Sequence, residues 1–237
     1  MVNLVQYRIL AIIILMMKRN SKNIPFKRGT SYAFVVDGDC ERWYIQMIKK
    51  NVPEFAANVK PELQQKKSLD EQFDSVLELS ESYDKVFWII DLDVIIRETK
   101  KARKGEETPI KKLENYLKRI ENDSLKIETI INTPCLEFWF LLHFKNTSKY
   151  YESCTDIEKQ FKKISVLKDY EKTEKYYIRL KTDIFSRLKE HLGCAITNAE
   201  SISVFSFNNY EKGISQMYKL FDLKELLHLK PTHKNSH

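Results

Sequence analysis

Residues Val86–Ile96 read V-F-W-I-I-D-L-D-V-I-I, and the architecture hangs on how this run folds. A near-continuous series of β-branched and aromatic residues marks a strand buried on both faces, as in a parallel sheet with helices on each side. Asp91 and Asp93 interrupt it. A dry, unpaired carboxylate inside such a strand costs several kcal/mol, so the pair must emerge at the strand end or be neutralised. If the chain stays extended through Asp93, residues i and i+2 face the same side. Two hard oxygen donors would then converge on one point, as Mg²⁺ requires. The alternative is a helix-capping Asp beside a solvated one in a strand-to-helix loop.

Upstream, Tyr32–Val36 (Y-A-F-V-V) predicts another strand, running into Asp37-Gly38-Asp39-Cys40-Glu41. Gly38 suits the tight turn from strand to helix. A helix is expected from Glu41 to Lys50, with Trp43/Met47 and Tyr44/Ile48 at i, i+4 spacing. Pro53 and Pro61 bracket a segment with a candidate strand at 57–60, and a helix is expected over Ser68–Ser82. Downstream, Arg97–Thr108 lacks apolar periodicity and reads as an exposed loop. Thr108-Pro109 is an N-cap followed by proline at the first helical position, opening a helix that carries Ile110, Leu113, Leu117 and Ile120. Lys126–Asn132 predicts a third strand, and Pro134 opens an apolar helix, Cys135–Phe144.

Strands alternating with helices argue for an α/β unit with a parallel sheet. From Lys145 onward strand signals vanish, and long polar helices are expected near 155–166, 171–191 and 209–229. The expected organisation is an N-terminal extension (1–29), an α/β domain (30–145) and a helical C-terminal region (146–237).

Composition narrows the function. Forty Lys+Arg against 33 Asp+Glu leave a charge of +7, which suits a polyanionic partner such as nucleic acid. The five glycines form neither G-x-G-x-x-G nor G-x-x-x-x-G-K-[ST], so the common phosphate cradles are absent. Any ATP hydrolysis must come from a partner. The four cysteines, Cys40, Cys135, Cys154 and Cys194, make no C-x-x-C pair. A structural zinc site or dense disulfide framework is not expected, and a reducing cytoplasm fits. The apolar run Ile9–Met17 is shorter than the ~20 residues that a spanning helix needs. It reads as a docking helix, a surface anchor or, as favoured here, an extension upstream of a start at Met16 or Met17.

In a parallel α/β sheet, ligands bind beyond the carboxyl ends of the strands. Asp37, Asp91 and Asp93 stand at such ends, and Glu41 lies one helical turn after Asp37. Together these acids form a rim that a divalent cation would relieve of repulsion, suited to metal-assisted chemistry at a phosphodiester. Glu137 and His143 sit in the apolar helix after Pro134. Glu137 either joins the rim or bonds a helix terminus or Arg; His143 either joins it or satisfies a carbonyl. Arg97, Lys100, Lys101, Arg103 and Lys104 follow the acidic pair and either grip a phosphate backbone or form a solvated loop. Lys172, in Tyr170-x-Lys172, approaches the site or lies on a helix surface. The pairs Tyr150-Tyr151 and Tyr176-Tyr177 either stack bases or pack in the core.

Three elements carry a family resemblance: D-G-D-C-E-R-W-Y at Asp37–Tyr44, I-I-D-L-D at Ile89–Asp93, and N-T-P-C-L-E-F-W-F-L-L-H-F at Asn132–Phe144. A strand ending in an acidic-Gly pair, followed by a D-x-D strand, resembles the Toprim domain of primases, topoisomerases and OLD-type nucleases. With the third element, the order and spacing across about 32–145 are more similar to the RloB-like (AbiLii-type) family. The resemblance implies a Toprim-like parallel-sheet Rossmannoid core flanked by helices. It also implies a metal-dependent nuclease role, with Mg²⁺ or Mn²⁺, in phage defence or a restriction-modification-linked system. By position, Asp37 takes the place of the family's proposed general acid/base and Glu41 that of its second acid. Asp91 and Asp93 take the metal positions, and Glu137 and His143 match the third element.

The chain departs from the pattern at Asp37, where the family has Glu, and at Cys40, where Thr is usual. A carboxylate misplaced by ~1 Å can cost ~10²-fold in rate. The second reading is therefore a non-catalytic nucleic-acid-binding or sensor subunit partnering an ATPase encoded nearby. Nucleotidyl or phosphoryl transfer is a third. Expected partners are DNA or RNA, with no stable membrane insertion and with a homo-oligomer compatible with the sequence.

Overall fold

A computed structural model describes residues 30–56, 68–123, 126–202, 204–208 and 210–231; the expected N-terminal extension and the candidate strand at 57–60 lie outside them. Strands β1 (Tyr32–Val36), β2 (Lys85–Asp91) and β3 (Ile127–Thr133) run parallel, in that spatial order. Crossovers carry helices α1 (Asp39–Asn51), α2 (Pro53–Ala56), α3 (Leu69–Ser82), α4 (Leu92–Lys101) and α5 (Pro109–Asn122). After β3 come α6 (Glu137–Leu142), α7 (Cys154–Phe161), α8 (Glu174–Tyr177), α9 (Ile184–Leu188) and α10 (Leu192–Ser201). A two-residue strand, β4 (Ile214–Ser215), then pairs antiparallel with β3. The fold is α/β with a mostly parallel four-stranded sheet.

The pleat divides the core in two. Tyr32, Phe34, Val36, Phe87 and Ile89 face one cluster, with α1, α6 and the C-terminal helices. Ala33, Val35, Val86, Trp88 and Ile90 face the other, with α3, α4 and α5. The central strand is therefore buried on both sides, as its unbroken apolar run predicts. Each such Ile or Phe withdrawn from water contributes about 1.5–3 kcal/mol before chain entropy is charged against it. Polar caps set the helix starts. Ser68 and Glu71 form a reciprocal capping box on α3, and Thr108 caps α5, with Pro109 at its first turn.

Four expectations are corrected. The β2 strand ends at Asp91, not Asp93, because Leu92, Ile95 and Ile96 turn inward at helical spacing as the buried side of α4. Asp91 and Asp93 are thus the last residue of a strand and the first turn of a helix, not i, i+2 partners along one strand. For the same reason 97–101, expected as loop, are helical. The sheet is mixed, because Ile214 and Ser215 pair antiparallel with Thr133 and Asn132 along the edge left by β3. Finally, the expected long C-terminal helices are short segments interleaved with turns, whose apolar residues, among them Phe161, Tyr177, Phe185 and Phe221, fill the same core as α1 and α6.

Candidate metal centre

Parallel strands bring their carboxyl ends to one edge of the sheet, and the acids gather there. Asp91 closes β2 opposite Asn132 of β3. Its Oδ1 accepts from Asn132 Nδ2 at 3.1 Å, and its Oδ2 accepts from the Leu136 N–H at 3.1 Å. Asn132 is held in turn by Ser215 Oγ, which donates to its Oδ1 at 2.7 Å. Strand β4 thus fixes the orientation of Asp91 through two side chains. The loop after β3, entered through a cis Thr133–Pro134 bond, also supplies Pro134 O, which accepts from the Asp93 N–H at 3.0 Å.

Asp37 follows β1, and Gln72 Nε2 of α3 donates to its Oδ1 at 2.9 Å. Gln72 Oε1 accepts from Trp88 Nε1 at 3.1 Å, so the buried indole of β2 orients the amide that orients Asp37. Glu41, in the first turn of α1, is buried and hydrogen-bonds the Asp91 carboxyl. Gly38 has an extended backbone (φ −148°), which any residue adopts. The reading of Gly38 as a turn-former is therefore replaced by a steric one: a Cβ there would stand 3.1 Å from Glu41 Oε2. Asp93 Oδ1 accepts from the Val94 N–H at 2.7 Å.

Glu137 opens α6 and is 1% exposed. Tyr170 Oη donates to its Oε1 at 2.5 Å, Lys172 Nζ lies 3.1 Å from the same oxygen, and Tyr177 Oη is 2.6 Å from Tyr170 Oη. Burial works against charge on Lys172, but the Glu137 carboxylate outweighs it and holds the ammonium firmly protonated. Lys172 thus sits on the acids and also pairs with Glu158 at 3.5 Å.

Electrostatics join the acids into one centre. Burial, then the charge of Glu137, pushes Glu41 up to about 7. Burial, then Glu41, Glu137 and Asp37, pushes Asp91 well above the usual carboxylate range. Asp37 is raised by burial, against the pull of Gln72, and by Asp93. Asp93 is raised by burial despite the Val94 N–H, Arg97 and Lys172. Adjacent carboxylates that resist ionisation are a hard-oxygen donor set whose repulsion a divalent cation relieves. The donor chemistry of Asp37, Glu41, Asp91, Asp93 and Glu137 therefore fits Mg²⁺ or Mn²⁺.

A groove of about 460 Å³ opens beside the centre, with the cations Arg97, Lys100 and Lys101, the acids Asp93, Glu152 and Asp156, and Tyr150 in its lining. Arg103 and Lys104, exposed beyond the end of α4, are not part of its lining. The other candidate aromatics, Tyr151, Tyr176 and Tyr177, are buried in the core, which removes them as base-stacking platforms. His143 is buried, its Nδ1 is 2.9 Å from Trp139 O, and burial drives its pKa down to about 3. It is a neutral core imidazole, as the carbonyl-satisfying reading has it.

Gln72 and Ser215 escape sequence reasoning, since they belong to no motif, and Asn132 opens the third family element without a role being assigned to it. A disulfide between Cys135 and Cys154, whose spacing resembles no common pattern, escapes it too.

No curated protein and no solved structure matches the chain. A family model, that of the RloB-like proteins, matches residues 32–223. The match takes in every strand, all the acids described above, the groove beside them and most of the C-terminal helices. The chain belongs to the RloB-like protein family.

Proposed function

We propose that the chain is a metal-dependent nuclease that hydrolyses phosphodiester bonds of DNA or RNA in phage defence or a restriction-modification-linked setting. One observation carries the reading: Asp93 belongs at once to the acidic centre and to the groove lined by Arg97, Lys100 and Lys101. A polyanion held in that groove would meet the acids at its edge, where cations for phosphates and donors for a metal adjoin.

Asp91 and Asp93, with Glu137, would hold Mg²⁺ or Mn²⁺, which when bound neutralises phosphate charge and lowers the pKa of a coordinated water. Asp37 and Glu41 would move protons. Asp37 lines a separate cavity of about 230 Å³, a route for solvent to its carboxylate, while Glu41, raised to about 7, suits proton exchange near neutrality. Lys172 would stabilise developing negative charge on phosphorus oxygens, and Arg97, Lys100 and Lys101 would bind the backbone, with Arg103 and Lys104 reaching strands that extend past α4. The lack of a Gly-rich phosphate cradle in the sequence leaves ATP hydrolysis to a partner ATPase. The Toprim-like assignment of the core is part of this reading, supported by the acids at the strand ends, and a cytoplasmic setting accords with it; no described helix is long and apolar enough to cross a membrane.

A second reading, a non-catalytic nucleic-acid-binding or sensor subunit, is favoured by two observations. Lys172 already neutralises Glu137, and Asp37 is a methylene shorter than the family's Glu. Cleavage of a mixed DNA and RNA panel with Mg²⁺ or Mn²⁺, with and without any ATPase encoded nearby, separates the two. Nicking by the wild type and none by Asp93→Asn supports hydrolysis. Groove-dependent binding with no turnover in either protein supports the sensor.

A further inference from the structure

The Cys135–Cys154 disulfide ties the loop before α6 to the first residue of α7, across 19 positions of sequence. Both sulfurs stand beside acids of the centre. Donor atoms of Cys135, Glu137 and Cys154 lie within 4.8 Å of one another, and Cys154 Sγ is 3.6 Å from Asp93 Oδ2. Two sulfurs and a carboxylate oxygen are a donor set for Zn²⁺, which binds thiolate at ~2.3 Å and carboxylate at ~2.0–2.2 Å in tetrahedral sites. The described contacts of Tyr170 and Lys172 to Glu137 both fall on Oε1, so Oε2 lies outside them. The surroundings are largely dry: Cys135 and Glu137 are each 1% exposed. A second cysteine pair of this kind does not occur among the described residues, where Cys40 and Cys194 are free.

We propose that Cys135, Cys154 and Glu137 form, in the dithiol state, a binding site for a thiophilic divalent cation, Zn²⁺ foremost, and that the disulfide is its closed form. Opening takes two electrons and two protons from two molecules of a low-molecular-weight thiol, or from one dithiol. The S–S bond breaks, two S–H bonds form, and the reductant leaves as its own disulfide. Metal uptake then forms two metal–sulfur bonds and releases both thiol protons to solvent. Because Glu137 also belongs to the acidic centre, the thiophilic ion draws one carboxylate away from any hard cation there. The inference concerns soft-metal and thiol chemistry and stands apart from hydrolysis, so loss of one does not remove the other.

Titration of the reduced full-length protein with Co²⁺, a spectroscopic stand-in for Zn²⁺, tests it. The expected result is a sulfur-to-cobalt charge-transfer band with tetrahedral d–d absorption, bleached by Zn²⁺ and absent from the oxidised protein. Cys154 is only half-buried at the start of α7, so Cys154→Ser is a mild change. It should abolish the sulfur band, while Cys40→Ser and Cys194→Ser keep it. No sulfur band in the reduced wild type, or an unchanged band in Cys154→Ser, overturns the proposal. Should Cys154→Ser fail to fold, alkylation of the reduced wild type decides. Zn²⁺ should slow labelling of Cys154 at least ~10-fold and leave exposed Cys194 unaffected, whereas equal labelling of Cys154 with and without Zn²⁺ contradicts the site.

Discussion

Glu41 shows how burial turns an ordinary acid into a pH-sensitive one. Its carboxyl titrates near 7 in the folded chain against an ordinary 4.5. Between those values the folded chain holds a proton that the unfolded chain has released, so stability falls as pH rises through this window and is fully retained below it. Asp91, Asp37 and Asp93, also raised, act in the same direction. Chemical denaturation of the metal-free protein should therefore show a loss of a few kcal/mol between about pH 5 and about pH 8. Glu41→Gln, which keeps the shape without the charge, should flatten that slope; an unchanged slope would remove Glu41 as its source. Gly38→Ala tests the steric account at the same place. Its backbone is compatible with Ala, so stability should change by less than about 1 kcal/mol. The new Cβ, 3.1 Å from Glu41 Oε2, should shift that carboxylate and weaken Mn²⁺ binding roughly tenfold.

The elements explain what the sequence discloses and what it hides. Strands β1 and β2 declare themselves because both faces are buried and their runs are almost wholly apolar, and β3 through its β-branched Ile and Thr residues, buried from Ile130 onward. Ser68 and Thr108 declare α3 and α5 because their side chains cap the first turns. The start of α4 stays hidden because Val94, Ile95 and Ile96 extend a β-branched run already read as strand, and only the burial of Leu92, Ile95 and Ile96 distinguishes the period. Strand β4 is two residues long, too short for any periodicity. Yet it steadies the centre through Ser215, Asn132 and Asp91. Ser215→Ala should therefore cost about 1 kcal/mol and loosen metal binding with the fold retained, as read by thermal melting beside Mn²⁺ titration. Gly213→Ala is the severe counterpart. A Cβ there would overlap Lys149 O and the Phe138 ring, and overpacking against backbone should cost about 1–3 kcal/mol or more.

Across the whole molecule, the acids legible from motif spacing (Asp37, Glu41, Asp91, Asp93 and Glu137) do meet at one sheet edge. What spacing could not convey is their support, supplied by uncharged side chains and by a C-terminal half that shares the core. The groove lined by Arg97, Lys100 and Lys101 on one side and by Glu152 and Asp156 on the other extends this centre outward. Its Lys100 pairs with Glu211 at 3.1 Å, with both side chains more than half exposed, and such pairs contribute little and yield to a polyanion. Arg97→Ala and Lys100→Ala should each weaken nucleic-acid binding alike across sequences and make the salt dependence shallower by about one unit of slope. Unchanged slopes would place the polyanion elsewhere.

The claim on which the rest depends is that these carboxylates form one divalent-cation centre. Electron paramagnetic resonance of free Mn²⁺, titrated with the full-length protein near neutral pH, addresses it without any assumption about substrate. Saturable binding displaced by Mg²⁺, and weakened at least ~10-fold in both Asp91→Asn and Asp93→Asn, is the predicted result. Absence of binding by the wild type, or equal binding by both folded variants, would contradict it.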